Sequence, residues 1–189
     1  MLTLWFEGMK HNFNCTPLHT LSGNVIALDL TSRNPIHRNP EAQLLSQLEI
    51  LANYADPFCR QDLLCCLSID FGMAAAVLES PRIQLALSEL PFVRLKLSEN
   101  FPNLHDGLAN PLLRALAAQI NTLWLGDLGA GGANLHALQS KMFQAVKLDR
   151  DFYLKNVNKP TFSVLIAHIH RYTQCVIVNG AESTLQTER

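Results

Sequence analysis

The chain has 189 residues, 48% hydrophobic and 16% charged, with a formal net charge of −1 at pH 7. That length suits one globular domain with a sizeable core. No basic excess supports direct nucleic-acid binding, and no run of about 18 apolar residues would span a membrane.

The low charge implies a surface covered by another molecule, or poor solubility of the chain alone. Residues 1–10 lack the basic stretch and apolar core of a secretory signal. Cys15, Cys59, Cys65, Cys66 and Cys175 are odd in number, and Cys65 and Cys66 lie among leucines. Buried reduced thiols in a cytosolic protein are expected, and no Cys/His spacing fits zinc. No metal or other cofactor is expected.

In chain order, Phe13–Leu21 and Val25–Ser32 are β-rich runs joined by Ser22-Gly23-Asn24, a hairpin signal. Residues 34–40 carry two prolines and form a loop. Leu44, Leu45, Leu48, Ile50, Leu51 and Tyr54 give 41–54 a helical period. Leu63–Ile69 is wholly apolar at its start, like a strand covered on both faces. Helices are expected over 72–78 and 81–87, the second opened by Ser80 as cap and Pro81 in its first turn. The remaining expectations are a strand over 92–97, a helix over 108–120, a strand over 123–128, a helix over 133–139 and a strand over 143–148. A helix starting at 149–154, a helix over 161–173 and a last strand over 175–178 complete the pattern. A hairpin followed by alternating helix and strand argues for a mainly parallel α/β sheet. This pattern leaves a barrel and an open doubly wound sheet both open.

The most informative stretch runs from Leu123 to Leu135, Leu-Trp-Leu-Gly-Asp-Leu-Gly-Ala-Gly-Gly-Ala-Asn-Leu, followed by Val146-Lys-Leu-Asp-Arg150. Both strands end in polar residues, as at the active-site face of an α/β barrel. The stretch resembles the EAL domain, a barrel that hydrolyses cyclic di-GMP, in which an Asp-Asp-Phe-Gly-x-Gly turn precedes a Lys-Ile-Asp-Arg strand. The resemblance runs from about Phe13 to Glu182 and rests on the order and spacing of several motifs. Thr16-Pro17-Leu18 resembles Gln-Pro-Ile, and Asp29-Leu30-Thr31-Ser32-Arg33 falls where the family has Glu-Ala-Leu-x-Arg. Leu95-Lys96-Leu97-Ser98-Glu99 resembles Leu-Glu-Ile-Thr-Glu, and Val178-Asn179-Gly180-Ala181-Glu182 resembles Ala-Glu-Gly-Val-Glu.

The resemblance implies an EAL-type TIM-like (β/α) barrel with one antiparallel strand, lacking the last strand and helix. Residues 1–12 would be an N-terminal extension and 13–189 a degenerate, C-terminally short EAL domain. It also assigns a remnant pocket. Asp29 stands for a metal-binding glutamate and Asp70 for a metal-binding asparagine. Arg33 matches an arginine that meets a ligand phosphate. Lys96 replaces a second metal-binding glutamate, while Glu99 matches a glutamate that steadies a nearby loop. Gly126 replaces a metal-binding aspartate, the second aspartate of that pair is kept as Asp127, and Lys147 and Asp149 match a lysine and an aspartate. Asn179 replaces a catalytic-site glutamate; Glu182 is kept.

Magnesium and manganese need several hard oxygen ligands converging on one point. Lys96, Gly126 and Asn179 offer no carboxylate there, and a protonated lysine has no lone pair to give. Without metals the attacking water is not activated. The resemblance therefore implies a non-catalytic regulator that binds another protein, such as a transcription factor controlling motility or adhesion. The alternatives are a cyclic di-GMP receptor that does not cleave its ligand, favoured by Arg33 and Asp127, and an active phosphodiesterase, opposed by Lys96 and Gly126. Lys96 is expected in the barrel mouth, paired with Asp29, Asp70 or Asp127. If the barrel is unclosed beside residues 175–178, Leu165, Ile169 and Val176 would lose cover, and a homodimer, a partner or aggregation would follow.

Plainer readings accompany several residues. Gly129, Gly131 and Gly132 fit a tight turn better than a phosphate loop, because no complete nucleotide-binding fingerprint surrounds them. His168 and His170 are two apart on a helix and cannot face one metal. His105 and Asp106 read as solvated, Lys147 and Asp149 as an ion pair, and Lys96 as a plain partner for Asp29 or Asp70 in a buried salt bridge.

Overall fold

In a computed structural model, residues 7–20, 22–33, 37–120, 122–131 and 135–178 are described. The chain divides into two compact units, 1–95 and 96–189, and strand β4 (Val93–Ser98) carries the division.

The first unit opens with β1 (Phe13–His19) and β2 (Val25–Ser32), an antiparallel hairpin in which Thr16 faces Asp29. Gly23 takes φ +86°, the left-handed turn conformation that glycine adopts without cost. Strand β3 (Leu64–Ser68) runs parallel to β2, with Asp29 opposite Cys66. Cys65, Cys66 and Leu67 are all buried, as a strand covered on both faces requires.

Local sequence explains the helices. Helix α1 (Pro40–Ala52) starts where Asn39 accepts a bond from the Ala42 amide at 3.1 Å, with Pro40 in the first turn. It buries Leu44, Leu48 and Leu51 along one face. The expected helix over 41–54 ends earlier, and α2 (Ala55–Arg60), where no element was expected, follows. Helices α3 (Phe71–Glu79) and α4 (Pro81–Glu89) meet at Ser80, which caps α4 through the Ile83 amide at 3.4 Å. The same hydroxyl donates to the Glu41 carboxylate at 2.6 Å and so ties α4 to α1.

The second unit alternates strand and helix. After a 3-10 segment (Leu104–Ala109) come α5 (Pro111–Gln119), β5 (Leu123–Leu128), α6 (Leu135–Leu138), β6 (Phe143–Leu148), α7 (Arg150–Asn156), α8 (Phe162–Ile169) and β7 (Cys175–Ile177). The helix expected over 108–120 begins only at Pro111, because Gly107 takes φ +52° and Asn110 caps the amides of Leu112 and Leu113. β5, β6 and β7 run parallel, with Val146 opposite Leu125 and Val176. The β5–β6 register slips between Leu125 and Leu128, so Gly126 and Asp127 leave the regular ladder. Ile169, which an unclosed barrel would leave without cover, is fully buried: it lies seven residues after Phe162 on the same inward face of α8. Leu165 and Val176 are half-buried.

Candidate functional site

In the first unit, Asp29 is 5% exposed near the end of β2. It lies close enough to Cys65 to help push that thiol's pKa upward, after burial and the neighbouring Cys66 and Cys15 thiols. Arg33 is exposed just past β2, and its amide donates to the Asn12 carbonyl at 3.1 Å. Asp70 is exposed and caps α3: its Oδ1 accepts from the Met73 amide at 2.8 Å. A carboxylate suits a helix N-terminus electrostatically as well as sterically.

The second unit begins with Lys96 in β4, 6% exposed. Its aliphatic stem lies over Gly126: a Cβ on Gly126 would stand 2.9 Å from Lys96 Cδ and 3.3 Å from Cγ and Cε. The lysine therefore fills the room that an aspartate at position 126 would need.

Glu99 is buried and has a structural task. Its Oε2 accepts from the amides of Gly129 and Gly131, both at 2.9 Å. The Glu99 amide in turn donates to the Gly126 carbonyl at 3.0 Å. The turn needs glycine at 129 in two respects, since φ is +103° and a Cβ would collide with the Phe152 ring. The reading of these glycines as a tight turn holds for Gly129 and Gly131; Gly132 lies outside the described residues.

Asp127 is half-buried with φ +57°, and its carbonyl accepts from the Ala130 amide at 3.0 Å. Lys147 is half-buried on β6, opposite Ile177 of β7. Asp149 is the cap of α7, its Oδ1 accepting from the Phe152 amide at 2.9 Å. Asn179 and Glu182 lie outside the described residues.

Among the described residues of either unit, the donors do not fit a dication. Lys96 brings a cation, Gly126 brings no side chain, and Asp70 and Asp149 each spend one carboxylate oxygen on a helix cap. Among the described residues no group of three or more His, Cys, Asp or Glu side chains is arranged to hold a metal ion. His105 and Asp106 form an exposed 3.2 Å pair, as solvated residues do. His168 packs edge-on to Tyr172 with ring centroids 5.3 Å apart. Among the cysteines, Cys65 and Cys66 are buried free thiols as expected, but Cys59 is exposed.

Reasoning from the sequence missed the two caps. The signal was present: Asp70 precedes the run Phe71-Gly-Met-Ala-Ala-Ala-Val-Leu78, and Asp149 precedes Arg150-Asp-Phe-Tyr-Leu154. It also missed the fit of Lys96 to Gly126, which pairs residues thirty positions apart on adjacent motifs.

These elements, with a buried lysine at the Leu-Lys-Leu-Ser-Glu position, define a degenerate EAL-like domain with the α/β barrel-type fold of cyclic di-GMP phosphodiesterases. No family model matches the chain. It is 28% identical over 201 residues to the cyclic di-GMP phosphodiesterase PdeH of Escherichia coli (strain K12), covering 95% of the chain and 76% of that protein. It is 32% identical over 146 residues to the putative anti-FlhC(2)FlhD(4) factor YdiV of Escherichia coli (strain K12), covering 75% of the chain and 61% of that protein. The match to this YdiV thus spans about three-fifths of its length. The crystal structure of the EAL-like domain protein YdiV superposes with a TM-score of 0.80 at 27% identity, covering 94% of the chain and 84% of that structure. Among the described residues no helix is long and apolar enough to cross a membrane.

Proposed function

We propose that the chain is a non-catalytic EAL-like regulator that acts in the cytoplasm by binding another protein. The observation that carries this reading is the buried Lys96 stem on Gly126, a cation where the family places a metal-binding glutamate. Hydrolysis of a phosphodiester in this family runs through metal-activated water, which this donor set does not support. Asp29, Arg33 and Asp70 in the first unit, and Lys96, Glu99, Asp127, Lys147 and Asp149 in the second, are then framework residues rather than catalytic ones. The YdiV relatives are named for acting against FlhC(2)FlhD(4), and that complex is the partner proposed here.

A second reading, a cyclic di-GMP receptor that does not cleave, draws on Arg33 and Asp127. Arg33 is exposed and available to a phosphate. A homodimer is compatible with either reading.

One set of measurements separates them. The purified chain is titrated with FlhC(2)FlhD(4), and separately with cyclic di-GMP with and without Mg²⁺ or Mn²⁺, while product is followed. The expected result is a protein complex and no turnover. Turnover clearly above a buffer blank, abolished by Asp127→Ala, would restore the enzyme reading, matching the likeness to PdeH. Nucleotide binding without turnover and without a protein complex would favour the receptor.

A further inference from the structure

The turn that enters β6 and the turn that enters β7 border an open surface cavity of about 390 Å³ in the second unit. Its walls include Lys141, Gln144, His170, Arg171, Tyr172 and Thr173. It lies at the N-terminal ends of these strands, whereas Lys147 and Asp149 lie at the C-terminal end of β6. It is therefore separate from the remnant pocket.

Three features of the cavity point to one ligand chemistry. First, its charge has one sign. Lys141, Arg171 and His170 line it, and no aspartate or glutamate does. Among the described residues none of these three forms an ion pair, although exposed Lys10 and Arg60 both do. Second, its wall is preformed. The Gln144 carbonyl accepts from the Thr173 hydroxyl at 2.8 Å and from the Gln174 amide at 3.1 Å, which clamps the second turn to β6. Buried Thr173 anchors that clamp, and Tyr172 is held edge-on by His168. Third, Lys141 is held at φ +56°, a left-handed conformation that a long side chain rarely adopts. Glycine or asparagine would hold that turn with less strain; lysine holds it with a cation at the rim of the cavity.

A concave, preformed site with two permanent cations, further donors and no carboxylate is built for an oxyanion. Arginine offers a planar fork that matches phosphate or carboxylate oxygens, and lysine adds a mobile point charge. We propose that this cavity binds a small ligand through a phosphate or carboxylate group, held between Arg171 and Lys141. The volume admits a ligand larger than the bare anion, with the Tyr172 ring and the Gln144 amide beside it. The proposal is independent of the protein partner named above.

The test is an amide NMR titration of the whole chain with inorganic phosphate and, separately, with malonate, at constant ionic strength. Sodium chloride is the control. Saturable shifts confined to residues 141–144 and 170–174 are expected with at least one anion, and the anion that binds more tightly identifies the group. Lys141→Gln with Arg171→Gln should weaken that binding at least tenfold. Both side chains are exposed, so the double variant should keep its melting temperature; if it does not, Arg171→Gln alone should weaken binding at least threefold. Equal shifts with chloride, no shifts with either anion, or an unchanged titration in a folded variant would overturn the proposal.

Discussion

Lys96 and Gly126 are complementary: the lysine stem occupies the space a side chain at 126 would take, with Cδ 2.9 Å from where its Cβ would stand. The resemblance implies a glutamate at 96 and an aspartate at 126 in the family. An aspartate placed at 126 alone would meet the lysine stem. Gly126→Asp should destabilise the fold by about 1–3 kcal/mol, the usual cost of overpacking. Lys96→Ala in the same chain should recover much of that loss, a coupling of about 0.5–3 kcal/mol. Urea denaturation of the four proteins of the cycle measures it, and additive effects would show that the two residues are independent.

The charge of Lys96 is a separate matter from its stem. We expect the ammonium to be paired with a strand-end carboxylate. Cycles of Lys96→Met with Asp29→Asn, Asp70→Asn and Asp127→Asn should reveal one partner with a coupling of about 1 kcal/mol or more. Asp70, exposed and already capping α3, should show the least coupling. Zero coupling in all three cycles would remove the salt-bridge reading.

Glu99→Ala should loosen the turn after β5. It strips the acceptor from the Gly129 and Gly131 amides, and each lost bond to a charged acceptor is worth about 1.5–3 kcal/mol before any rearrangement. Hydrogen exchange at those two amides should accelerate more than exchange at Val146 in β6. Glu99→Gln, which keeps an acceptor oxygen, should lie between the variant and the parent. Unchanged protection at Gly129 and Gly131 in Glu99→Ala would show that the turn is held otherwise.

Tyr153 is 1% exposed, and its hydroxyl has no hydrogen-bond partner among the described residues. Its ring packs edge-on against Phe162 at 5.8 Å. Tyr153→Phe keeps that packing and removes a buried polar atom. Stability should therefore hold or rise by about 1 kcal/mol. A loss beyond about 1 kcal/mol in chemical denaturation would mean that the hydroxyl is satisfied after all.

Burial is the main reason the Cys65 thiol titrates well above its ordinary value of 9.0; the adjacent Cys66 thiol adds to the effect. The unfolded chain therefore loses this proton at lower pH than the folded chain. The resulting stability is fully present below about pH 9 and is lost as pH rises toward the folded value. Melting temperature should fall above pH 9, and the fall should be shallower in Cys65→Ala. In the native protein at pH 8, a thiol reagent should modify exposed Cys59 rapidly and Cys65 only on unfolding.

The strands were legible because buried parallel strands are short, largely apolar runs bounded by turn residues, as in Leu63–Ile69, but that pattern left their order open between a barrel and a doubly wound sheet. Helix ends were less so. The 41–54 segment reads as one helix, but the chain stops it at Ala52 and starts another at Ala55. A period of 3.6 says which face is buried, not where the cap lies. Within the site, the resemblance gave Glu99 as a residue that steadies a nearby loop, and its bonds to the Gly129 and Gly131 amides fit that reading. It did not reveal that the Lys96 stem needs Gly126. That relation is one of volume between neighbouring strands, and linear spacing carries no volume.

The two capping aspartates have a consequence for recognising catalysis in barrels of this kind. Asp70 and Asp149 each end a strand-side segment and start a helix, and each holds the helix's third residue by its amide. A chain that performs no chemistry would still need both of them to begin those helices. An acid at the tip of a barrel strand is therefore ambiguous wherever a helix starts at the next residue. The informative positions are those that no cap requires, and here they are occupied by a lysine and a glycine.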